Sequence, residues 1–334
     1  MAAIATLPGA ADQPRAIDPG RSTADKTFRQ TVRILGCFVL ILTVAIGLFL
    51  GYQMIPTLRH YGFSFFTETQ WEPSKDQVGV AAVIVGTIEV ALVALLVGFP
   101  LALLTAVYIS EYAPAKIKGI LVSMVDLMAA VPSIVFGLWG VYFLRDQLTP
   151  IARWISQHFS WIPIFQVNTD PNAASWQQSD YVGSIFIAGI VVALMVIPLA
   201  CAVMRGVFSQ APIGEREAAY ALGATRWGMV RTVVLPFGRG GIIGGTMLGL
   251  GRALGETIAV LMIISPEFLI KGKILTVGTE TISALIAGRF GEATTSQLSA
   301  LLAAGFVLFV MTIVVNTIAA IFVNRSRSGA ATDI

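Results

Sequence analysis

Arg252 and Glu256 are the residues through which this chain could do chemistry. Both lie in "GGIIGGTMLGLGRALGETIAV", residues 240–260, one helical turn apart in the middle of an apolar run. A charge at the centre of a membrane helix costs on the order of 2.5–3.5 kcal/mol, so neither is expected to face lipid. Arg before Glu is the weaker order for a helix-stabilising pair, which favours a pathway or gate role over a structural pair that locks spans together. A guanidinium there offers a weak, transient site for an anion, and the carboxylate restrains or releases it as a gate changes state. Thr257 follows them as a third candidate. In other apolar runs, Pro132-Ser133 can expose backbone groups to a water-filled path. Asp126 and Glu89 either face a lumen or subunit interface, or serve a cation on a neighbouring helix.

Bond-making chemistry finds little support. His60 and His158 are isolated, and Cys37 and Cys201 sit inside apolar runs, so no metal-ligand or nucleophilic cluster stands out. The G-x4-G-K-[ST] phosphate loop is missing, since the only Gly-Lys pair, Gly272-Lys273, continues into Ile274. Hydrophobic residues make up 56% of the 334 and charged ones only 12%, with mean hydropathy +0.79. A soluble domain carries about 25% charge, so most of this surface must meet something other than water. The net charge of +3 is scattered and makes no case for nucleic acid.

Spans of about 20 apolar residues cross the hydrocarbon. Six are expected, at 34–54, 80–109, 117–144, 181–206, 237–265 and 297–323. Residues 1–30, rich in Ala, Pro, Asp and Arg, read as a disordered cytoplasmic tail. Then come a first span with its outer segment (31–79), a transmembrane core (80–325) and a short C-terminal tail (326–334). Of the 22 Lys and Arg, fourteen fall on the side of the N-terminus, seven on the other, and Arg252 lies within a span. That asymmetry places both termini in the cytoplasm of a multi-pass plasma-membrane protein. The glycines at 241, 245 and 249 recur every fourth residue, a spacing for close helix packing. The outer segment 145–180, with Trp154, Trp161 and Trp176, reads as a contact surface or as aromatic anchors at the headgroups.

Between the fourth and fifth spans lies "EAAYALGATRWGMVRTVVLP", residues 217–236. Pro212 suits a helix start, Gly223 a helix end, Thr225 a cap for a second short helix, and Pro236 its close. Ten helical residues reach only about 15 Å, so this module lies at the membrane surface. It either rests on lipid or fits a groove on a soluble partner, with small alanines permitting close approach.

Glu217-Ala218-Ala219, three residues, Gly223, nine residues, Val233, one residue, and Leu235-Pro236 resemble the E-A-A-x3-G-x9-I-x-L-P signature of ABC-importer permeases. Only Val233 departs. In that family this loop is the coupling helix that docks into an ATP-binding subunit. "GRALGET" resembles the R-A-x-G-E-T stretch of phosphate-importer permeases. "AAVPSIVFGLWG" (129–140) and "TQWEPSKDQVGVAAVIVGT" (69–87) resemble two further segments of that family, with Val78 in place of an aromatic. With the long outer segment, the chain looks like the PstC-type subunit rather than its PstA-type partner.

The resemblance covers about residues 30 to 325. It implies an all-α, MetI-like ABC permease of six spans, with five core spans and one N-terminal span. It also implies a homologous PstA-type permease as partner, a dimer of ATP-binding subunits carrying ATP and Mg, and an external phosphate-binding protein. This chain would bind no cofactor of its own. Its transport would run by alternating access, with the solute selected mainly outside the chain. Rival readings are a permease for another oxyanion such as sulfate or molybdate, an ion-coupled secondary transporter, which leaves the complete E-A-A spacing unexplained, and a membrane enzyme.

Overall fold

The computed structural model describes residues 23–173 and 176–326. The chain divides into two compact units, Met1–Leu48 and Phe49–Ile334. The division falls inside the first helix, α1 (Thr23–Tyr61). In the first unit the apolar side chains of α1, among them Phe38, Leu40 and Ile41, are exposed, as a lipid-facing helix requires. Residues 23–30, expected in the tail, are helical, and the remaining tail residues 1–22 and 327–334 lie outside the described residues.

The second unit continues through short α2 (Ser64–Thr67) and a two-stranded ribbon, β1 (Trp71–Glu72) and β2 (Gln77–Val78). Next come α3 (Ala81–Val107), prolonged by a π-helical turn through Tyr112, α4 (Ala115–Ala130), α5 (Ser133–Trp139), α6 (Arg145–Phe159) and α7 (Ile185–Phe208). The module region holds α8 (Ile213–Ala221), α9 (Arg226–Met229), a π-helical turn and α10 (Leu235–Phe237). Then follow α11 (Arg239–Leu254), α12 (Ile258–Ile263), α13 (Ile282–Arg289) and α14 (Thr295–Ser326).

The centre is α3 packed on α7. Lipid is as apolar as a leucine side chain, so helices in a membrane associate through close backbone approach and packing. Small residues are accordingly frequent among the buried ones, with Ala91, Ala94 and Ala102 on α3 and Ala188, Ala193 and Ala200 on α7, beside larger valines, isoleucines and methionines. The glycine stripe of α11 does the same against α7. An ideal Cβ on Gly241 would lie 2.5 Å from Val207, on Gly245 2.9 Å from the Ala200 carbonyl, and on Gly249 2.5 Å from Val196.

Among the described residues, up to six spans result when each bent pair counts as one: α1, Ala81–Tyr112, α7 and Thr295–Val323, plus two broken ones. The span expected at 117–144 is not continuous. α4 and the α5–α6 rod meet at 91°, because Pro132 lacks an N–H and holds Val131 extended at ψ 129. The second bent pair joins Arg226–Phe237 to Arg239–Leu254 at 69°, and the span expected at 237–265 is interrupted once more. α11 stops at Leu254, and helix resumes only at Ile258. The outer segment holds the amphipathic α6, and the irregular stretch 264–281 runs beside it, with Phe186 donating its N–H to the Ile274 carbonyl (2.9 Å) and Ile274 to Ile164 (3.1 Å).

Candidate functional site

α8 lies at the surface of the second unit, one side exposed and the other packed on α9 and the π-helical turn that follows it. It starts after Pro212 and ends at Gly223, whose φ of +85 is the left-handed conformation that favours glycine. The Thr225 hydroxyl then accepts the Gly228 N–H at 3.1 Å and starts α9. Pro236 does not close that helix as expected. The π-helical turn Val230–Val234 shifts the backbone pairing ahead of it, and helix runs on to Phe237 before a 69° bend into α11. Glu217, Ala218, Gly223 and Pro236 are exposed, while Ala219 and Leu235 are half-buried. Ile213, Leu222 and Trp227 are 72%, 90% and 55% exposed. Exposed apolar side chains on α8, at its C-terminal cap and on α9 thus lie beside the exposed Glu215 and Glu217.

The opposite side of α8 is fastened down. Arg216 donates through Nη1 to Glu111 Oε2 (3.1 Å) and through Nη2 to the Phe208 carbonyl (2.6 Å). Glu111 lies in the π-helical turn ending α3 and is buried. Next to it, the Arg226 guanidinium covers the Tyr112 ring at 5.1 Å. Sequence reasoning did not single out Glu111, although a carboxylate in "YISEYAP" at the end of an apolar run was a legible signal.

The second constellation surrounds the break in the fifth span. Arg252 occupies the last turn of α11 and is half-buried, its Nε buried without a partner. Glu256 lies beyond the helix end, so the two charges do not share a continuous helical face as the sequence suggests. No acid pairs with Arg252 among the described residues. The Glu256 carboxylate instead accepts the Ala259 N–H (3.3 Å) at the start of α12, and its backbone carbonyl accepts the Ser283 hydroxyl (2.6 Å). Thr257 donates its hydroxyl to the Gly255 carbonyl at 3.1 Å. Irregular backbone at membrane depth survives only where protein buries it or water reaches it, and here α13 buries part of it.

Ser133 begins α5, just past the other break. The bent third span meets α12 there: an ideal Cβ on Gly137 of α5 would lie 3.0 Å from Ala259 Cα. Asp126 is not brought to this place. It pairs with Arg205 of α7 at 3.3 Å, a partner within its own chain. Glu89 is half-buried on α3, with no ion pair among the described residues. Of the tryptophans, Trp154 and Trp161 are exposed, whereas Trp176 carries Arg153 over its ring at 4.1 Å. Below it, Tyr181 and Leu275 are buried.

A buried polar seam that sequence reasoning missed lies on α3 beside α13. Thr87 accepts the Ile282 N–H at 3.0 Å. Gly86 lies so close to the Glu280 carbonyl that a Cβ would approach to 2.2 Å. Glu280 itself is 5% exposed with Oε2 unpartnered, and burial pushes its carboxyl up to about 7 while Arg289 draws it down.

Residues 98–328 match the family described as binding-protein-dependent transport system inner membrane component. The chain is 38% identical over 299 residues to "Phosphate transport system permease protein PstC 2" of Mycobacterium tuberculosis, covering 88% of this chain and 90% of that one. It is 37% identical over 320 residues to "Phosphate transport system permease protein PstC" of Xylella fastidiosa, covering 96% of each. Among solved structures it resembles a bacterial ABC transporter involved in the import of the acidic polysaccharide alginate, with TM-score 0.57, 20% identity, and 90% and 96% of the two chains covered. That likeness concerns the fold alone, an all-α arrangement of membrane helices. The chain is thus a multi-pass membrane protein that belongs to the binding-protein-dependent transport system inner membrane components, among the permeases named PstC.

Proposed function

We propose that this chain forms half of the membrane path of an ATP-driven phosphate importer, paired with a homologous PstA-type permease. An ATP-binding subunit dimer, carrying ATP and Mg, drives it through α8, and an external phosphate-binding protein delivers the solute. The observation that carries this reading is the α8 module, which presents the complete E-A-A-x3-G spacing on an exposed helix. The names of the relatives supply the solute. In this reading α8 and both termini are cytoplasmic, in keeping with the fourteen-to-seven distribution of Lys and Arg.

Closure of the ATPase dimer would push the coupling helices together and switch the spans from inward-open to outward-open. Arg252, half-buried and without an ion pair among the described residues, would give the anion a passing contact at the interrupted fifth span. Glu256, Thr257 and Ser133 would line or gate the same region, while Asp126, tied to Arg205, would hold α4 on α7. The chain makes and breaks no bonds.

The test is labelled-phosphate uptake at low external phosphate in cells lacking this gene, complemented with wild type or Arg252→Ala. The expected result is loss in the deletion, rescue by wild type, and failure of an Arg252→Ala chain that inserts normally. Undiminished uptake in the deletion strain, or restored uptake of sulfate or molybdate instead, would overturn the phosphate assignment.

A further inference from the structure

Arg216 is the one cation of α8, and it points away from the free surface. Its guanidinium grips two different spans at once: α3 through the Glu111 carboxylate and α7 through the Phe208 carbonyl. The side chains are 21% and 4% exposed. Yet Glu111 Oε1 and Arg216 Nε are buried without partners. A buried pair that leaves polar atoms unsatisfied is a poor way to gain stability, because apolar residues of similar volume do as well or better. What a fork between two helices does supply is fixed geometry.

The surroundings fit a mechanical role. Ser209–Pro212, the connection from α7 to α8, is only four residues long, and Arg226 on Tyr112 fastens α9 to the same end of α3. Glu111 and Tyr112 both belong to a π-helical turn, a device found often at functional sites.

We infer that Glu111 and Arg216 are positioning residues, a strut that makes α8 and the adjoining ends of α3 and α7 move as one body. A push on α8 then reaches the central α3–α7 pair instead of being absorbed in the 209–212 connection. The inference rests on α8 being the docking point of an ATP-binding subunit.

The test reconstitutes the complete transporter with its external binding protein in proteoliposomes and measures phosphate uptake and ATP hydrolysis on the same sample. Three variants are compared with wild type: Glu111→Gln, Arg216→Lys, which keeps the charge but not the fork, and the double variant Glu111→Gln with Arg216→Met, a neutral filled pair. The expected result is a fall in phosphate moved per ATP hydrolysed of roughly 3- to 30-fold, in variants that insert and retain the ATPase. A wild-type ratio in the double variant overturns the strut. So does a loss of inserted protein with an unchanged ratio in what remains, because the pair then only stabilises the fold. A wild-type complex that hydrolyses ATP but moves no phosphate sinks the solute reading instead, and the strut is then decided by the same ratio with sulfate or molybdate.

Discussion

Replacing Glu280 with glutamine should remove a pH-dependent weakness from the fold. The carboxyl is 5% exposed, Oε2 has no partner, and the nearest compensating charge is Arg289 on α13. Burial penalises the ionised form more than Arg289 rewards it, which carries the group from an ordinary 4.5 to about 7. Because the folded-state value is raised, the folded protein holds a proton that the unfolded chain has released between those two values. Stability therefore falls as pH rises through that window and is lowest above it. With about 1.4 kcal/mol per pH unit, the full effect is about 3 kcal/mol.

The assay is thermal unfolding of detergent-solubilised protein at pH 5, 6, 7 and 8. Wild type should lose several degrees between pH 5 and 8, and Glu280→Gln should lose far less, so that the two nearly coincide at pH 5 and separate at pH 8. Glu292→Gln serves as control, since that carboxylate is exposed. A wild-type slope that survives Glu280→Gln, or a variant less stable than wild type at pH 8, would refute the burial argument.

Two further outcomes are expected. Gly249→Ala should destabilise the protein by about 1–3 kcal/mol, because its Cβ would meet Val196 at 2.5 Å. Gly244→Ala on the same helix has nothing within 4 Å and should be tolerated; the yield of folded protein and its melting temperature separate the two. At the C-terminal cap of α8, Leu222→Asp should leave insertion intact, since Leu222 is 90% exposed. Co-purification of the ATP-binding subunit should fall on the order of tenfold or more, as for an anchor in an interface centre.

The sequence by itself determined the class of this protein. Runs of about 20 apolar residues have only a membrane to cross, and the E-A-A spacing, Gly223 and Thr225 fix a short helix locally, because turn and cap chemistry act over three or four residues. Pro132 announced its break for the same reason. The stripe of Gly241, Gly245 and Gly249 foretold close packing, although not that α7 would be the partner.

Pairings distant in the chain were decided only by the tertiary structure. Glu111 meets Arg216 across 105 positions, and Arg205 meets Asp126 across 79; no local pattern encodes such partners, because they depend on which helices cross. The break between Arg252 and Glu256 was hidden likewise. Helical spacing suggests one face, but Ser283 of α13 and the Ala259 N–H take up the groups of Glu256, and that competition from a neighbouring element outweighs local helix preference. No local pattern marks Glu280, whose burial depends on α3 being bare of a side chain at Gly86, where the Glu280 backbone comes close.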